Sequence, residues 1–143
     1  SEGEVISFEE ELEHIIAYLQ LQRTRNQNLE VAIECKTKEF HIPRHSLEPL
    51  VENAVKHGIA QNGNTGNVAI RTYNRADGYA IQIIDDGVGF DVNILKRGNT
   101  SLAKKLAQLE KVCGAKTEVI SKPNKGTVIT IVLPMLENDL LEE

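Results

Sequence analysis

Apolar residues near the start of the chain recur at the three- and four-residue spacing of a helix. An amphipathic helix is predicted over residues 7–25, where Ser7 and Glu10 form a capping-box pattern at its start. Residues 29–36 then alternate between apolar and polar side chains, which is typical of a half-buried strand. The chain therefore opens with a helix and a strand that each have one apolar face.

The same helical spacing returns after Pro43. It predicts a second helix over residues 47–58, with Ser46 as its N-terminal cap and Gly58 at its C-terminal end. Residues 61–67 are turn-forming, so they predict a loop that leads into the next strand.

Two antiparallel hairpins are predicted in the second half of the chain. Between them, residues 86–99 show no period, and a third helix over residues 102–113 ends at Gly114. The last strand is almost entirely apolar or β-branched, so it is expected to be central in its sheet. The four hairpin strands cover residues 68–73, 79–85, 117–121 and 127–133.

These elements predict an α+β fold. The order helix, strand, helix, hairpin, loop, helix and hairpin fits a two-layer sandwich, in which helices cover one face of a mixed, mostly antiparallel sheet. The length of 143 residues corresponds to one domain, and 41% hydrophobic with 26% charged residues is an ordinary globular composition.

Charge and cysteine content exclude several classes of protein. The net charge of −5 and the absence of a basic block argue against a nucleic-acid surface. Cys35 and Cys113 lack the spacing of a zinc site, so they are expected as buried free thiols. Neither a signal peptide nor an apolar run of about 20 residues is found, so a soluble domain is expected, as a free protein or as part of a membrane protein.

One candidate site lies where a buried strand delivers Asp85 into a loop that contains Gly87 and Gly89. Glycines allow the backbone to approach a ligand closely, and a carboxylate accepts hydrogen bonds from an amino group such as that of a purine. A strand that simply ends in a tight turn explains the same residues equally well.

The second helix carries a polar cluster of Glu52, Asn53, Lys56 and His57 beside its apolar stripe. Residues three and four apart share one edge of a helix, so the cluster offers oxygen ligands for a hard cation and positive charge for phosphate. Taken alone, the cluster is better explained as a solvated helix face with a Glu52–Lys56 ion pair.

Together the two segments resemble the ATP-binding catalytic domain of sensor histidine kinases, a superfamily shared with gyrase, the Hsp90 chaperone and MutL. The resemblance rests on Leu-Val-Glu-Asn-Ala-Val-Lys-His-Gly at residues 50–58, Asp-Asp-Gly-Val-Gly-Phe at 85–90 and Lys-Gly-Thr at 125–127. It covers residues 8–134 and is strongest toward the LytS-like branch, in which prolines such as Pro43 and Pro49 precede the first motif.

The resemblance implies a Bergerat-type ATP-binding fold and a role for each motif residue. Asn53 is expected to ligate Mg²⁺ at the phosphates of ATP, and Glu52 to orient or activate the attacking group. Asp85 is expected to accept a hydrogen bond from the adenine amino group. The remaining expected contacts are Lys56 and His57 near the phosphates, Gly87 and Gly89 beside the base, and Thr127 near adenine.

The chain departs from the family pattern at the second glycine box, where Gly98-Asn99-Thr100-Ser101-Leu102 replaces Gly-x-Gly-Leu. Thr100 and Ser101 are expected to cap a helix and offer hydroxyls to an anion. Asn99 and Ser101 are each expected to cost about 1 kcal/mol if the backbone needs a glycine-only conformation.

The resemblance implies a kinase that transfers the γ-phosphoryl group of ATP to a histidine outside these residues, and then to a response regulator. No segment of the His-Phe-Leu-Phe-Asn type occurs here, and His14 does not match it. Residues 1–26 are expected to end a dimerisation region, 27–134 to form the ATP-binding domain and 135–143 an acidic tail. The parent is expected to be a homodimer in the bacterial cell membrane with this domain in the cytoplasm, and the isolated domain a monomer.

Two other hypotheses remain at this point. The altered glycine box favours a domain of the same fold that binds nucleotide weakly or not at all and acts as an interaction module. An ATP hydrolase of the gyrase or chaperone kind shares the same motif residues but needs further domains. Two interpretations of the first helix also remain. It either packs on the sheet, or it exposes Phe8 and Leu12 and continues a coiled helix.

Overall fold

A five-stranded sheet runs through the centre of the structure, a computed structural model that describes residues 4–135. The strands are β1 (Val5–Ser7), β2 (Asn28–Cys35), β3 (His41–Pro43), β4 (Thr65–Arg75), β5 (Gly78–Asp85), β6 (Lys116–Ser121) and β7 (Thr127–Leu133). The helices are α1 (Phe8–Arg25), α2 (Glu48–Asn53) and α3 (Ser101–Cys113).

The strand order in the main sheet is β2-β4-β5-β7-β6. β2 pairs with β4 in parallel, whereas the other three pairings are antiparallel. β7 is an interior strand, as its composition predicts, although β5 takes the middle position. β1 and β3 form a separate two-stranded sheet that the periodicity of such short segments does not reveal.

One face of the main sheet packs against the helices. Inward-facing side chains of the central strands are buried in a single cluster with residues of α1, α2 and α3. On the opposite face, Arg71 and Gln82 are only half-buried and line an open depression. The predicted α+β class, with a mixed and mostly antiparallel sheet, is confirmed.

Helix α1 packs its apolar stripe into the core. Ser7 caps it as predicted, because its Oγ accepts a hydrogen bond from the Glu10 N–H at 3.2 Å. Phe8 is fully buried and stacks on Phe40 with ring centroids 4.6 Å apart, and Leu12 is buried as well. The packing interpretation of this helix is therefore correct for the described domain.

The second helical region differs from its prediction at both ends. After α2 the chain continues as a π-helix over Ala54–Ile59 and a 3₁₀ turn over Ala60–Asn62, and it ends at Gly63 with φ 72°. Gly58 is therefore an interior position. The predicted Ser46 cap is also wrong, because the Ser46 hydroxyl donates to the Pro43 carbonyl instead.

The capping group of α2 comes from α1. Glu11 is fully buried, and its carboxylate accepts the backbone N–H groups of His45 at 3.0 Å, Leu47 at 3.0 Å and Glu48 at 3.5 Å. A carboxylate at a helix N-terminus also interacts favourably with the helix dipole. This long-range contact fixes the start of α2 relative to α1.

The remaining elements lie close to their predictions. β4 begins at Thr65, earlier than expected, because it pairs with β2 from Asn28 onward. The aperiodic segment contains a 3₁₀ helix over Val92–Arg97. α3 ends at Gly114, which has φ 66°.

Three further predictions concern the chain as a whole. Cys35 and Cys113 are free and half-buried, and burial raises the pKa of both thiols. No helix within residues 4–135 has the length and apolar character needed to cross a membrane. Of the predicted acidic tail, only Met135 belongs to the described residues.

Substitution Glu11→Ala is expected to lower the free energy of unfolding by about 2 kcal/mol, because it leaves buried N–H groups without an acceptor. Urea unfolding followed by circular dichroism measures this change. Glu13→Ala on the exposed side of α1 is the matched control and should change stability by less than about 0.5 kcal/mol. Equal effects of the two substitutions would rule out the capping role.

Candidate functional site

Asp85 ends β5 as a nearly buried carboxylate, 7% exposed. Its Oδ1 accepts a hydrogen bond from the Gly87 N–H at 2.9 Å, and Thr127 lies directly opposite on β7. Burial raises the pKa of Asp85 to about 6; the Gly87 hydrogen bond opposes this shift and the neighbouring Asp86 charge adds to it. The side chain therefore retains acceptor capacity for a ligand.

The helical backbone approaches Asp85 at Gly58. A Cβ atom at Gly58 would lie 2.6 Å from Asp85 Oδ1, and a Cβ atom at Gly87 would lie 2.3 Å from the Gly58 carbonyl carbon. The Val88 N–H donates to the Gly58 carbonyl at 3.3 Å. Gly58 therefore lies inside the helical region because only glycine leaves room for the carboxylate and its loop. π-Helical turns of this kind are frequent at functional sites.

The turn between β6 and β7 closes the other side of the loop. Gly89 (φ 62°) and Gly126 (φ 78°) take left-handed conformations, and a Cβ atom at Gly126 would lie 2.2 Å from the Asp85 carbonyl oxygen. The buried Ser121 Oγ accepts the Phe90 N–H at 2.9 Å, donates to the Gly126 carbonyl at 2.9 Å and lies 2.8 Å from Thr127 Oγ1. Because the hydroxyl proton of Ser121 is donated to the Gly126 carbonyl, the Thr127 hydroxyl donates to Ser121 Oγ. A lone pair of Thr127 Oγ1 therefore stays free to accept a hydrogen bond.

Two adjoining cavities lie beside these residues. The smaller, about 30 Å³, is bounded by Asp85 and Thr127. The larger, about 350 Å³, reaches Thr100 and Ser101 at the start of α3. Asn53, His57, Gly89 and Phe90 line both cavities.

The larger cavity ends at a helix N-terminus. Thr100 caps α3, because its Oγ1 accepts the Ala103 N–H at 3.1 Å. The first N–H groups of a helix and its dipole favour anions. The two adjoining cavities together therefore have a carboxylate at one end, in the smaller cavity, and an environment suited to negative charge at the other, in the larger cavity.

Seven of the ten predicted site residues line these cavities, and three do not. Gly87 packs against Gly58 instead, and the Lys56 side chain is exposed to solvent. Glu52 is half-buried near Tyr18 of α1: burial raises the pKa of Tyr18, and the charges of Glu52 and Glu48 raise it further. The residues brought together are Asn53, His57, Asp85, Gly89, Thr100, Ser101 and Thr127.

The altered glycine box does not strain the backbone in this structure. Within residues 4–135, the non-glycine residues with positive φ are His45, Asn64 and Asn124. Asn99 and Ser101 are not among them, and Gly98 instead takes φ 69°. The expected backbone cost at these two positions is therefore not incurred here.

Several site residues were missed by the sequence patterns. Phe90 lines both cavities, Ser121 supports Thr127, and Asp86 accepts the Asn67 N–H at 2.6 Å and its side-chain amide at 2.7 Å. Asp86 and Phe90 belong to the glycine-loop motif, so their position was a usable signal. Ser121 carried no such signal: Thr127 is its partner in the predicted hairpin, but its hydrogen bond from the Phe90 N–H joins residues 31 apart in sequence.

Comparison with known proteins identifies the family of the chain. Residues 39–137 match the family of histidine kinase-, DNA gyrase B- and HSP90-like ATPases. Sensor histidine kinase BtsS of Escherichia coli strain K12 is 31% identical over 138 residues, which is 92% of this chain and 24% of BtsS. Sensor protein LytS of Bacillus anthracis is 28% identical over 146 residues, which is 91% of this chain and 25% of LytS.

Solved structures show the same fold. The nucleotide-free catalytic domain of histidine kinase ThkA superposes with a TM-score of 0.70 at 16% identity, covering 92% of this chain and 97% of that domain. The mycobacterial sensor histidine kinase MprB gives a TM-score of 0.63 at 22% identity, covering 92% and 97% of the two chains.

The chain belongs to the histidine kinase-, DNA gyrase B- and HSP90-like ATPase family. The resemblance to LytS-like sensor kinases is confirmed. The chain spans about a quarter of the length of the curated relatives BtsS and LytS.

The raised pKa of Asp85 predicts a pH-dependent difference in stability between the wild type and Asp85→Asn. Because the carboxyl binds its proton more tightly in the folded state, wild-type stability falls as the pH rises from the ordinary pKa of 3.8 through about 6. Asp85→Asn should therefore be more stable than the wild type by about 1–2 kcal/mol above about pH 7, a value that allows for partial screening of the shift by water. Below about pH 4 the two proteins should be equally stable.

Thermal and urea unfolding across this pH range measure the difference. Asp91→Asn is the matched control, because asparagine caps a helix as well as aspartate does and Asp91 is exposed. A stability difference at Asp85 that does not vary with pH contradicts the burial argument.

Proposed function

We propose that this domain binds ATP across the two adjoining cavities and transfers its γ-phosphoryl group to a histidine in the dimerisation segment of a parent sensor kinase. The observation that carries the proposal is the nearly buried Asp85 carboxylate, opposite Thr127, in a cavity that joins a larger one ending at the N-terminus of α3. This arrangement suits a ligand with an amino-bearing base at one end and phosphates at the other.

Recognition of the base rests on Asp85. Above about pH 6 its carboxylate is ionised and has one internal donor, Gly87, so it can accept a hydrogen bond from the adenine amino group. The free lone pair of Thr127 Oγ1 adds a second acceptor beside the base, directly or through water. Gly89 leaves the backbone close to the base.

The phosphates fit the larger cavity. The N-terminus of α3 with Thr100 and Ser101 provides a favourable environment for anions, and His57 lines the same cavity. Lys56, which is exposed, supplies positive charge at the rim.

A magnesium ion fits Asn53 together with the phosphates. Residues 4–135 hold no group of three or more His, Cys, Asp or Glu side chains suited to a metal, so the protein alone does not form a complete site. Mg²⁺ commonly takes few protein ligands and completes its shell with phosphate oxygens and water, and the Asn53 side chain lines both cavities. The bound ion neutralises charge on the phosphates.

Glu52 completes the proposed machinery by orienting or activating the attacking histidine. Its half-buried carboxylate lies on the α1 side of the helix, next to Asn53 in sequence but outside the cavities. The attacking histidine therefore has to approach from that side. Positioning and electrostatic stabilisation provide most of the catalysis in phosphoryl transfer of this kind.

The same proposal implies which proteins interact with this domain. The response regulator is the expected next phosphate acceptor, and a supporting neighbour is ThkA in complex with response regulator TrrA, at a TM-score of 0.70 and 14% identity over 93% of this chain and 42% of that chain. The parent is proposed to be a homodimeric sensor in the bacterial cell membrane, with this domain in the cytoplasm.

A second candidate function is favoured by the size of the cavity at Asp85. The cavity at Asp85 measures only about 30 Å³, so it has to widen before adenine can enter. A domain in which this widening is unfavourable binds nucleotide weakly and acts as an interaction module. Nucleotide titration separates the two functions.

The domain is expected to bind ADP and a non-hydrolysable ATP analogue with Kd below about 1 mM, or roughly −4 kcal/mol. Asp85→Asn should weaken binding about 10- to 100-fold, because it loses a hydrogen bond to a charged acceptor. Isothermal titration calorimetry at pH 7.5, about 1.5 units above the pKa of Asp85, measures both.

The control for Asp85→Asn is Asp77→Asn, in the turn between β4 and β5 and far from the cavities. Its affinity should equal that of the wild type. No detectable heat at millimolar nucleotide from a folded wild-type domain would falsify nucleotide binding and support the interaction module.

Asn53→Ala is expected to remove most of the magnesium dependence of nucleotide affinity while leaving affinity without magnesium within about twofold, because Asn53 is the proposed metal ligand. Titrations with Mg²⁺ and with EDTA give the ratio for each variant. Asn74→Ala, exposed on β4, is the control and should keep the wild-type ratio. An unchanged ratio in Asn53→Ala means that the metal is held elsewhere.

A further inference from the structure

The hydroxyl group of Ser121 makes every hydrogen bond of which a serine is capable. This side chain is buried, and its one proton is donated to the Gly126 carbonyl, which cannot donate in return. One lone pair accepts the Phe90 N–H, which cannot accept. The contact of 2.8 Å with Thr127 Oγ1 therefore uses the second lone pair of Ser121 and the proton of Thr127.

This direction of the hydrogen bond limits what Thr127 offers to a ligand. A threonine hydroxyl that is free to rotate donates to an acceptor or accepts from a donor, as the ligand requires. The Thr127 proton is held by Ser121, so Thr127 Oγ1 presents only a lone pair. Asp85 lies opposite Thr127 in the sheet and borders the same small cavity, and above about pH 6 its carboxylate is also purely an acceptor.

Two fixed acceptors side by side distinguish purine bases by the group at position 6. The amino group of adenine brings two N–H donors to this end of the cavity. Hypoxanthine and guanine carry a carbonyl oxygen there, which has no proton to donate and faces two acceptors. Buried polar groups that meet without a donor between them are costly, so such a site rejects the carbonyl base.

We propose that Ser121 is a positioning residue that sets base specificity, because it directs the Thr127 proton away from the cavity and so restricts the site to 6-aminopurine nucleotides. Ser121 acts through Thr127 and is not among the residues that line the two cavities. The inference rests on the nucleotide binding proposed above and extends it to a residue without ligand contact.

The ratio of the Kd values for inosine diphosphate and ADP tests this role. Inosine diphosphate carries a carbonyl oxygen in place of the amino group, and ¹⁵N–¹H NMR titration of the 143-residue chain at about pH 7.5 measures weak as well as tight binding. The wild type should prefer ADP by about 30-fold or more. Ser121→Ala frees the Thr127 proton to donate to the carbonyl oxygen, so the preference should fall by about tenfold.

A purely structural role of Ser121 would not change this ratio. Ser121→Ala also leaves the Phe90 N–H and the Gly126 carbonyl without a partner, but that loss weakens both nucleotides alike and cancels in the ratio. Thr127→Val removes the second acceptor and should lower the preference by about fivefold. The double variant Ser121→Ala/Thr127→Val should match Thr127→Val alone, because Ser121 acts only through Thr127.

Thr117→Ala is the matched control, since Thr117 lies on the same strand as Ser121 but borders neither cavity. Its ratio should equal that of the wild type. The inference is overturned if Ser121→Ala keeps the wild-type ratio, or if Thr127→Val does. The second variant preserves the bonds of Ser121 to Phe90 and Gly126, so it decides the question even if Ser121→Ala does not fold.

Failure of the inference differs from failure of the proposed function. A folded wild-type domain that binds ADP and inosine diphosphate equally well contradicts only the role of Ser121. A domain that binds neither nucleotide contradicts the proposed function and, with it, this inference.

Discussion

The arrangement of the site depends on the space that the Asp85 carboxylate occupies. Gly58 on the helical region, Gly87 on the following loop and Gly126 on the last turn approach so closely that a Cβ atom at any of them would overlap Asp85 or its neighbours. Three segments that are far apart in sequence are therefore held at one point. The burial that results raises the pKa of Asp85 to about 6, so the same packing that positions the carboxylate also sets its protonation.

Two buried carboxylates have opposite roles in this fold. Glu11 accepts three backbone N–H groups at the start of α2, so its acceptor capacity is used to join two helices. Asp85 accepts one, from Gly87, and borders a cavity. A carboxylate that is satisfied internally stabilises the fold, whereas one that is only partly satisfied is suited to a ligand that brings its own donors.

Periodicity predicted α1, α3 and the two hairpins because their apolar stripes face one core and their ends carry local signals such as Ser7 and Gly114. Periodicity did not bring Asp85 and Asn53 together. Only the order of the two motifs along the chain indicated that these residues belong to one site. The cap of α2 by Glu11 and the hydrogen bond from Phe90 to Ser121 join residues that are distant in sequence, so no local pattern encodes them. Gly58 shows the difference: its sequence context indicates a helix end, but its neighbour in space is Asp85.

Helix α3 connects the larger cavity with the core. Its N-terminus, with Thr100 and Ser101, borders that cavity. Leu102, Leu106 and Leu109 are buried in the core and anchor the helix there. Their packing therefore holds the N-terminus of the helix beside the cavity that Asn53 also lines. Asn99 and Ser101 take no left-handed backbone conformation, so the non-glycine residues of the altered glycine box are compatible with the way in which the chain enters this helix.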